Sequence, residues 1–338
     1  MLLRSLRTGR GATSFLFALA LVACSDAPRS AAPDVTLVSL NFLHGIFCPP
    51  DTDRCRLPDR TKLLFDFIAA RGCPDLVTLQ EIWPPSVEQM EPYLATTCPF
   101  PYELVQGARL TGVDDETVLT RYPVLLVEQL TLYRQFRRVL WTRIAHPAGT
   151  LDLYSTHLAS SADGAREPCA DDCPPECVAA GATNVRDCQA VQMAQFIERT
   201  HDAALLGLVA GDFNERPGSF VYEQFVGRGW SDVYLAAGNP ECDPATGVGC
   251  TSGRADEGLA GLESPELGVT SRIDFVFLIR PAERATCAAE ILPPADDGSG
   301  TRLFADVPNP FASTCGPLPA QICWPSDHVG VQLALACG

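Results

Sequence analysis

An apolar run that begins near Leu205 ends in Leu208-Val209-Ala210-Gly211-Asp212-Phe213-Asn214, and this stretch constrains the chain more than any other. A strand apolar along its whole length is covered on both faces, so the carboxylate and carboxamide at its tip need a stated purpose. At strand spacing Asp212 and Asn214 point to the same side. Gly211 permits close approach of another group to the backbone, and the buried strand would hold both side chains still. Two readings stay open at this point. Gly, Asp and Asn are common turn formers, so the stretch is either a surface turn or one edge of a binding site.

Other runs share its form. Val35 to Phe42 is a strand carrying Asn41 near its end, and Leu76 to Leu79 is a short buried strand delivering Gln80-Glu81. Leu151 to Ser155 leads into Thr156-His157-Leu158, Ile273 to Ile279 contains Asp274, and Val329 to Leu335 follows Asp327-His328 directly. Val118 to Thr120, Leu130 to Tyr133 and Val139 to Ile144 read as further strands. Helical periodicity covers Asp59 to Ala70, stopped by Gly72, and Ala190 to Ile197. The Cys-, Pro- and acid-rich stretch 160–188 reads as a long pinned loop, as do 238–268 and 292–325. Strands interleaved with a few helices, without repeats or internal linkers, predict one α/β domain with mixed sheets over 35–338.

The N-terminus reads as an address. Arg4, Arg7 and Arg10 precede a short apolar run from Thr13 to Ala23, too short for an ordinary membrane span. Leu21-Val22-Ala23-Cys24 resembles a bacterial lipobox, which implies a signal peptide over 1–23, lipidation at Cys24 and a flexible tether over 24–34. Ser25 after the Cys favours the outer membrane by the same resemblance. The expectation is an exported lipoprotein of the outer membrane or cell surface, anchored by lipid and monomeric. Of 15 cysteines, 14 remain besides Cys24, enough for seven disulfides in an oxidising compartment. Close pairs such as Cys48/Cys55, Cys242/Cys250 and Cys315/Cys323 would staple single loops. Cys169, Cys173, Cys177 and Cys188 lack the spacing of paired zinc knuckles and are expected to be oxidised too. Loss of three arginines with the leader takes the formal charge from −16 to −19. That disfavours a sequence-independent grip on nucleic acid, although a bound cation can supply local positive charge.

Asn41, Glu81, His157, Asp212, Asn214, Asp274, Asp327 and His328 form a set of carboxylates, carboxamides and imidazoles without a Ser or Cys nucleophile motif. Such a set suits a hard cation such as Mg²⁺ or Mn²⁺. A cation held this way offsets developing phosphate charge and lowers the pKa of a water, and a carboxylate-oriented His can take that water's proton.

The motif order now matters. Asn41, Leu79-Gln80-Glu81, Leu119-Thr120-Arg121-Tyr122-Pro123, Thr156-His157-Leu158, Gly211-Asp212-Phe213-Asn214, Arg272-Ile273-Asp274-Phe275 and Ser326-Asp327-His328 together resemble the endonuclease/exonuclease/phosphatase superfamily with its DNase I-like fold. The resemblance implies a four-layer sandwich, two mixed β-sheets face to face with helices outside and the site at one edge. It implies metal ligation by Glu81, with Asn41 and Asp327 near the metal, and His328 as general base held by Asp274. Asp212 would orient the attacking water, while Asn214 and His157 would bind phosphate oxygens. The implied reaction is in-line attack of water on a phosphodiester.

One departure from the family pattern is Asp114-Asp115-Glu116. In DNase I-like members an acid near here pairs with the histidine equivalent to His157. The run is therefore either a partner that favours a protonated His157 or a solvated acidic turn. His44, just after Asn41, either lines the cleft or is a plain loop histidine, and His146 and His201 are expected at the surface. Asn41 and Gly45 with Leu79-Gln80-Glu81-Ile82-Trp83, and the insertion between His157 and Arg186/Gln189, resemble the neutral sphingomyelinase branch. A lipid head group is thus the expected substrate, a surface nuclease the alternative, and an idle binding lipoprotein the third reading. No exposed aromatic pair for membrane insertion is evident in 160–188 or 238–268.

Overall fold

The central strands of one sheet sort their residues by parity between two cores. In a computed structural model of the chain, Leu208 and Ala210 lie in one buried cluster while Val209 lies in another. Val276 and Leu278 divide from Phe275 and Phe277 in the same way, as do Leu140 from Trp141 and Leu153 from Tyr154. The first cluster fills the space between two sheets and continues under helices beyond the opposite sheet; the second lies under helices on the remaining outer face. Strands covered on both sides are therefore apolar at every position, which is why their sequences show no clean alternation.

The structure describes residues 33–43, 56–107, 115–169, 172–254, 260–266, 268–282, 287–294, 300–306 and 322–337. The elements run β1 (Val35–Asn41), α1 (Leu57–Ala70), β2 (Leu76–Ile82), α2 (Pro84–Leu94), β3 (Glu103–Gln106), β4 (Asp115–Thr120), β5 (Val124–Thr131), β6 (Arg138–His146) and β7 (Gly149–His157). They continue with α3 (Pro175–Ala180), α4 (Val185–Thr200), β8 (Leu206–Asp212), α5 (Phe220–Val226), β9 (Ser231–Asp232), α6 (Val233–Ala236), β10 (Asp274–Ile279), β11 (Ala289–Ile291), β12 (Arg302–Leu303) and β13 (Val331–Cys337).

One sheet has the order β11-β13-β1-β2-β4-β3, with β12 also on β13, and the other β5-β6-β7-β8-β10-β9. Each contains one parallel pair, β1 with β2 and β7 with β8, among antiparallel neighbours. α1 and α2 cover the first sheet through Leu64, Phe65, Ile68, Val87 and Met90; α4 and α5 cover the second through Met193, Phe196, Ile197, Val221 and Phe225. The result is the expected four-layer α/β sandwich.

Several elements had no readable signal. Pro84 and Pro85 look like breakers but occupy the first turn of α2, where no N–H is lost. The stretch 160–188, expected to be aperiodic, contains α3 and the first turn of α4, which Asn184 caps through the Asp187 N–H at 3.0 Å. Five disulfides join described residues: Cys73–Cys98, Cys169–Cys173, Cys177–Cys188, Cys242–Cys250 and Cys287–Cys337. The four clustered cysteines are thus oxidised as expected. Cys48, Cys55 and Cys315, like the leader, Cys24, His44, Gly45 and Asp114, lie outside the described residues. Among the described residues no helix is long and apolar enough to cross a membrane.

Candidate active site

Strand direction gathers the polar tips. β1, β2, β7 and β8 run toward one edge and carry Asn41, Glu81, His157 and Asp212 at or near their ends. β10 and β13 are antiparallel to them, so Asp274, which opens β10, and Asp327-His328, just before β13, reach that same edge. In register, His157 stands opposite Asp212 and Asp212 opposite Asp274. All eight residues expected at the site arrive at this edge, linked by the contacts below.

At its centre His328 Nδ1 lies 2.9 Å from Asp274 Oδ2 and 3.1 Å from Oδ1. Its Nε2 faces Asp212 Oδ2 at 3.8 Å and Ser252 Oγ at 3.4 Å. Burial opposes protonation of His328, but Asp274, Asp327 and Asp212 outweigh it and hold the imidazole well above its ordinary pKa. Asp212 is pushed up to about 7 by burial and then by Asp274, against pulls from His328, the Asn41 amide and the Asn214 N–H. Thr251 Oγ1 accepts the backbone N–H groups of Ile273 and Asp274 at 3.1 and 3.2 Å, which fixes the start of β10.

Glu81 occupies a strained position. The β2/β4 register shifts between Leu79 and Ile82, and Glu81 has φ 61°, a left-handed conformation costing a non-glycine residue about 1–2 kcal/mol. The bulge turns its carboxylate onto Asn41, whose Nδ2 donates to Glu81 Oε1 at 2.9 Å and Asp212 Oδ2 at 3.0 Å. Asn41 Oδ1 accepts the Leu43 N–H at 3.0 Å, so as oriented Asn41 shows the carboxylates its amide nitrogen. Asp327 is anchored by Ser326 Oγ at 3.2 Å, a hydroxyl that also donates to Asn41 O at 2.5 Å. Carboxylates of Asp212 and Asp274 with His328 form a group whose donor atoms lie within 4.8 Å of one another, and Glu81 adds a fourth acid to the edge. A donor set of carboxylates and imidazole, with one carboxyl pushed to about 7 by burial and by Asp274, fits a hard divalent cation.

The phosphate side departs from expectation. His157 Nε2 lies 3.0 Å from Asn214 Nδ2, 3.6 Å from Asp212 Oδ2 and 3.9 Å from Glu81 Oε1. Its Nδ1, however, meets Arg137 Nη1 at 2.8 Å. From the 114–116 run, Glu116 accepts the His157 backbone N–H at 3.1 Å. Burial and then Arg137 hold His157 well below its ordinary pKa, which disfavours the protonated form that an acid partner from that run would bring. Asn214, itself at φ 53°, donates Nδ2 to Leu158 O at 2.9 Å and its N–H to Asp212 Oδ1 at 2.8 Å. Arg186 donates to Asn214 O and pairs with Glu215 at 2.8 Å.

This geometry has a match in sequence: the model of the endonuclease/exonuclease/phosphatase family covers residues 38–328. The chain belongs to that family. Among solved structures, a humanised TDP2 of D. rerio is similar at 18% identity and TM-score 0.57, over 89% of this chain and 98% of that one. A D. rerio TDP2 complexed with single-strand DNA product gives the same figures, 18%, 0.57, 89% and 98%. A mannosyl-6-phosphatase of Bacteroides thetaiotaomicron matches at 15% identity and TM-score 0.58, over 89% of this chain and 99% of that one. No curated protein matches. At these identities the neighbours show the DNase I-like fold, and family membership makes the chain a phosphoesterase.

This family member carries supports that its sequence hid. Phe213 turns away from the site into a ring cluster, 4.9 Å from Phe225 and 5.4 Å from Phe277, each such pair worth about 0.5–1.5 kcal/mol, and so anchors the Asp212–Asn214 turn. Arg60 on α1, fully buried, donates to the carbonyls of Phe42, Leu43 and Pro325 at 2.6, 3.1 and 3.0 Å. Arg254 donates to the carbonyls of Ser326 and His328 at 2.8 and 3.2 Å while stacking on Trp324. These guanidiniums brace backbone on both flanks of the site. Nothing in sequence spacing marks them.

Two histidines expected at the surface are not there. His146 is buried with Nε2 3.7 Å from Asp75, and His201 places Nδ1 3.1 Å from Asp152. Each lies beside a buried carboxylate, a partnership set by strands distant in sequence.

Proposed function

We propose that the chain is a divalent-cation-dependent phosphodiesterase that hydrolyses its substrate by direct attack of water. The observation carrying this reading is the His328–Asp274 pair at 2.9 Å with His328 Nε2 turned toward Asp212. Asp274 fixes the Nδ1 side of the ring, leaving Nε2 as the proton acceptor. Asp212 orients the water, whose oxygen forms the new bond to phosphorus as the bond to the leaving oxygen breaks and the water's proton passes to Nε2. Asn214 Nδ2 and His157 Nε2 hold phosphate oxygens. Glu81 and Asp327, with Asn41 beside them, would hold a cation, Mg²⁺ or Mn²⁺. When bound it supplies Lewis acidity and counters the carboxylates that otherwise keep His328 protonated.

A lipid head group is the favoured substrate. The formal charge of −16, falling to −19 without residues 1–23, disfavours a polyanion, and the lipobox-like Leu21 to Cys24 would tether the enzyme to the outer membrane. The similar TDP2 described with single-strand DNA product supports a nuclease as the second reading. Purified protein is tested with sphingomyelin vesicles, single- and double-stranded DNA, RNA and bis(4-nitrophenyl) phosphate, each with Mg²⁺ or EDTA. Cleavage of sphingomyelin alone among the natural substrates supports the lipid reading, and cleavage of DNA overturns it. Turnover of some diester that is lost in EDTA supports the mechanism; no turnover with any divalent ion overturns it.

A further inference from the structure

The β5–β6 hairpin ends in an unusual turn. Arg134, Gln135 and Phe136 have φ of 56°, 58° and 52°, three consecutive non-glycine residues in the left-handed region. Such a run persists only where its surroundings hold it. Here the long Cys-rich insertion does so. Gln189 Nε2 donates to the carbonyls of Tyr133 and Arg134 at 2.9 and 3.2 Å, and Asp172 accepts from Arg134 Nη2 at 2.6 Å and Tyr133 Oη at 2.9 Å. The insertion is itself closed by Cys169–Cys173 and Cys177–Cys188. The residue this turn delivers is Arg137, whose Nη1 lies 2.8 Å from His157 Nδ1.

A guanidinium has only donors, so a short contact with an imidazole nitrogen requires a lone pair there. Neutral imidazole has one lone pair and one N–H; if Nδ1 accepts, Nε2 carries the hydrogen. The reverse tautomer would aim an N–H at a cation. Asn214 Nδ2 donates one N–H to Leu158 O at 2.9 Å and turns its second toward Nε2 at 3.0 Å. With Nδ1 taken by Arg137, that second N–H meets the Nε2 hydrogen and no lone pair. Two donors side by side repel each other and suit an anionic oxygen that accepts from both.

We propose that Arg137, braced by the disulfide-pinned insertion, is a positioning residue that locks His157 in the neutral Nε2–H form, so that His157 and Asn214 present paired donors to one phosphate oxygen. The inference rests on the phosphodiesterase reading for its substrate, but not for its geometry.

The test therefore has two arms. In the first, nitrogen-15 NMR of His157 in the full-length protein, assigned with His157→Gln, reads the tautomer without turnover. Wild type is expected to show protonated Nε2 and bare Nδ1, Arg137→Ala to lose that preference, and Arg137→Lys to restore it. Protonated Nδ1 in wild type, or an unchanged tautomer in Arg137→Ala, overturns the proposal. In the second, Arg137→Ala lowers kcat/KM on bis(4-nitrophenyl) phosphate by about tenfold to a hundredfold. The same change made in His157→Ala is expected to cost less than about threefold, because Arg137 acts through the ring. An equal loss in both backgrounds overturns the proposal. If no diester is cleaved, the functional reading fails while the NMR arm still decides the role of Arg137.

Discussion

Asp212 and Asp274 face each other in the antiparallel β8/β10 register, two buried carboxylates at adjoining strand ends. The arrangement stores electrostatic cost where the chemistry needs it. Folding raises the Asp212 carboxyl from 3.8 to about 7. Between those values the folded chain keeps a proton that the unfolded chain has released, so stability falls as pH rises through the window and the full cost stands above pH 7. Asp212→Asn should therefore stabilise the protein in EDTA at pH 8 by on the order of 1–3 kcal/mol, with little gain at pH 4, while abolishing turnover. Thermal unfolding at the two pH values checks it; a destabilised variant at pH 8 would sink the idea.

Cation binding should reverse that cost. At a hundred times its Kd, Mg²⁺ should add about 2.7 kcal/mol to stability. Glu81→Gln and Asp327→Asn should remove most of the increment. A wild-type Tm indifferent to Mg²⁺ and Mn²⁺ would contradict a cation site here.

His328→Ala should lower kcat by about 10²–10⁴-fold, the range of a positioned base, with a smaller change in KM. Asp274→Asn keeps the shape of the pair but not its charge and should also lower kcat. A His328→Ala enzyme with full activity on the cleaved diester would remove His328 from the mechanism.

Acid should unfold the protein through carboxylates far from the site. Burial raises Asp75, but His146, Thr36 and Arg121 outweigh it and bring it down to about 2. Asp152 likewise reaches about 2, burial being overcome by His201, Arg143 and Trp141. Lowered carboxyl values give stability that is present above 3.8 and lost as pH falls toward 2. Each should contribute on the order of 1–2 kcal/mol after solvent screening. Asp75→Asn should flatten the stability profile between pH 4 and 2, measured by urea unfolding; an unchanged slope would count against it.

Gly211 has φ 151°, and a Cβ there would overlap the Thr156 carbonyl on β7. Gly211→Ala should cost about 2–3 kcal/mol and displace Asp212 from His157. Unaltered stability with unaltered kcat would show that β7 and β8 can part without consequence.

The local rules set a good part of this molecule in advance. Strand runs buried on both faces, helical stretches over 59–70 and 190–197, the oxidised cysteine cluster and eight polar residues at strand tips all follow from neighbours in the chain. Even a list of candidate site residues could be drawn from the chain, because a charge beside a fully apolar run is costly unless it is used. Tertiary structure decided the rest. Whether Asp274 at the start of β10 and Asp212 at the end of β8 reach the same edge depends on strand direction, which pairing alone sets. Glu81 reaches Asn41 only through a bulge, and Arg137, which no sequence spacing marks, comes to lie beside the His157 ring. What began at Gly211-Asp212-Phe213-Asn214 as a choice between turn and site is resolved by contacts from residues more than a hundred positions away, such as Asn41 on Asp212. Propensity and burial act over a few residues, whereas tautomers and carboxyl pKa values are set by whichever distant groups packing brings within about 4 Å.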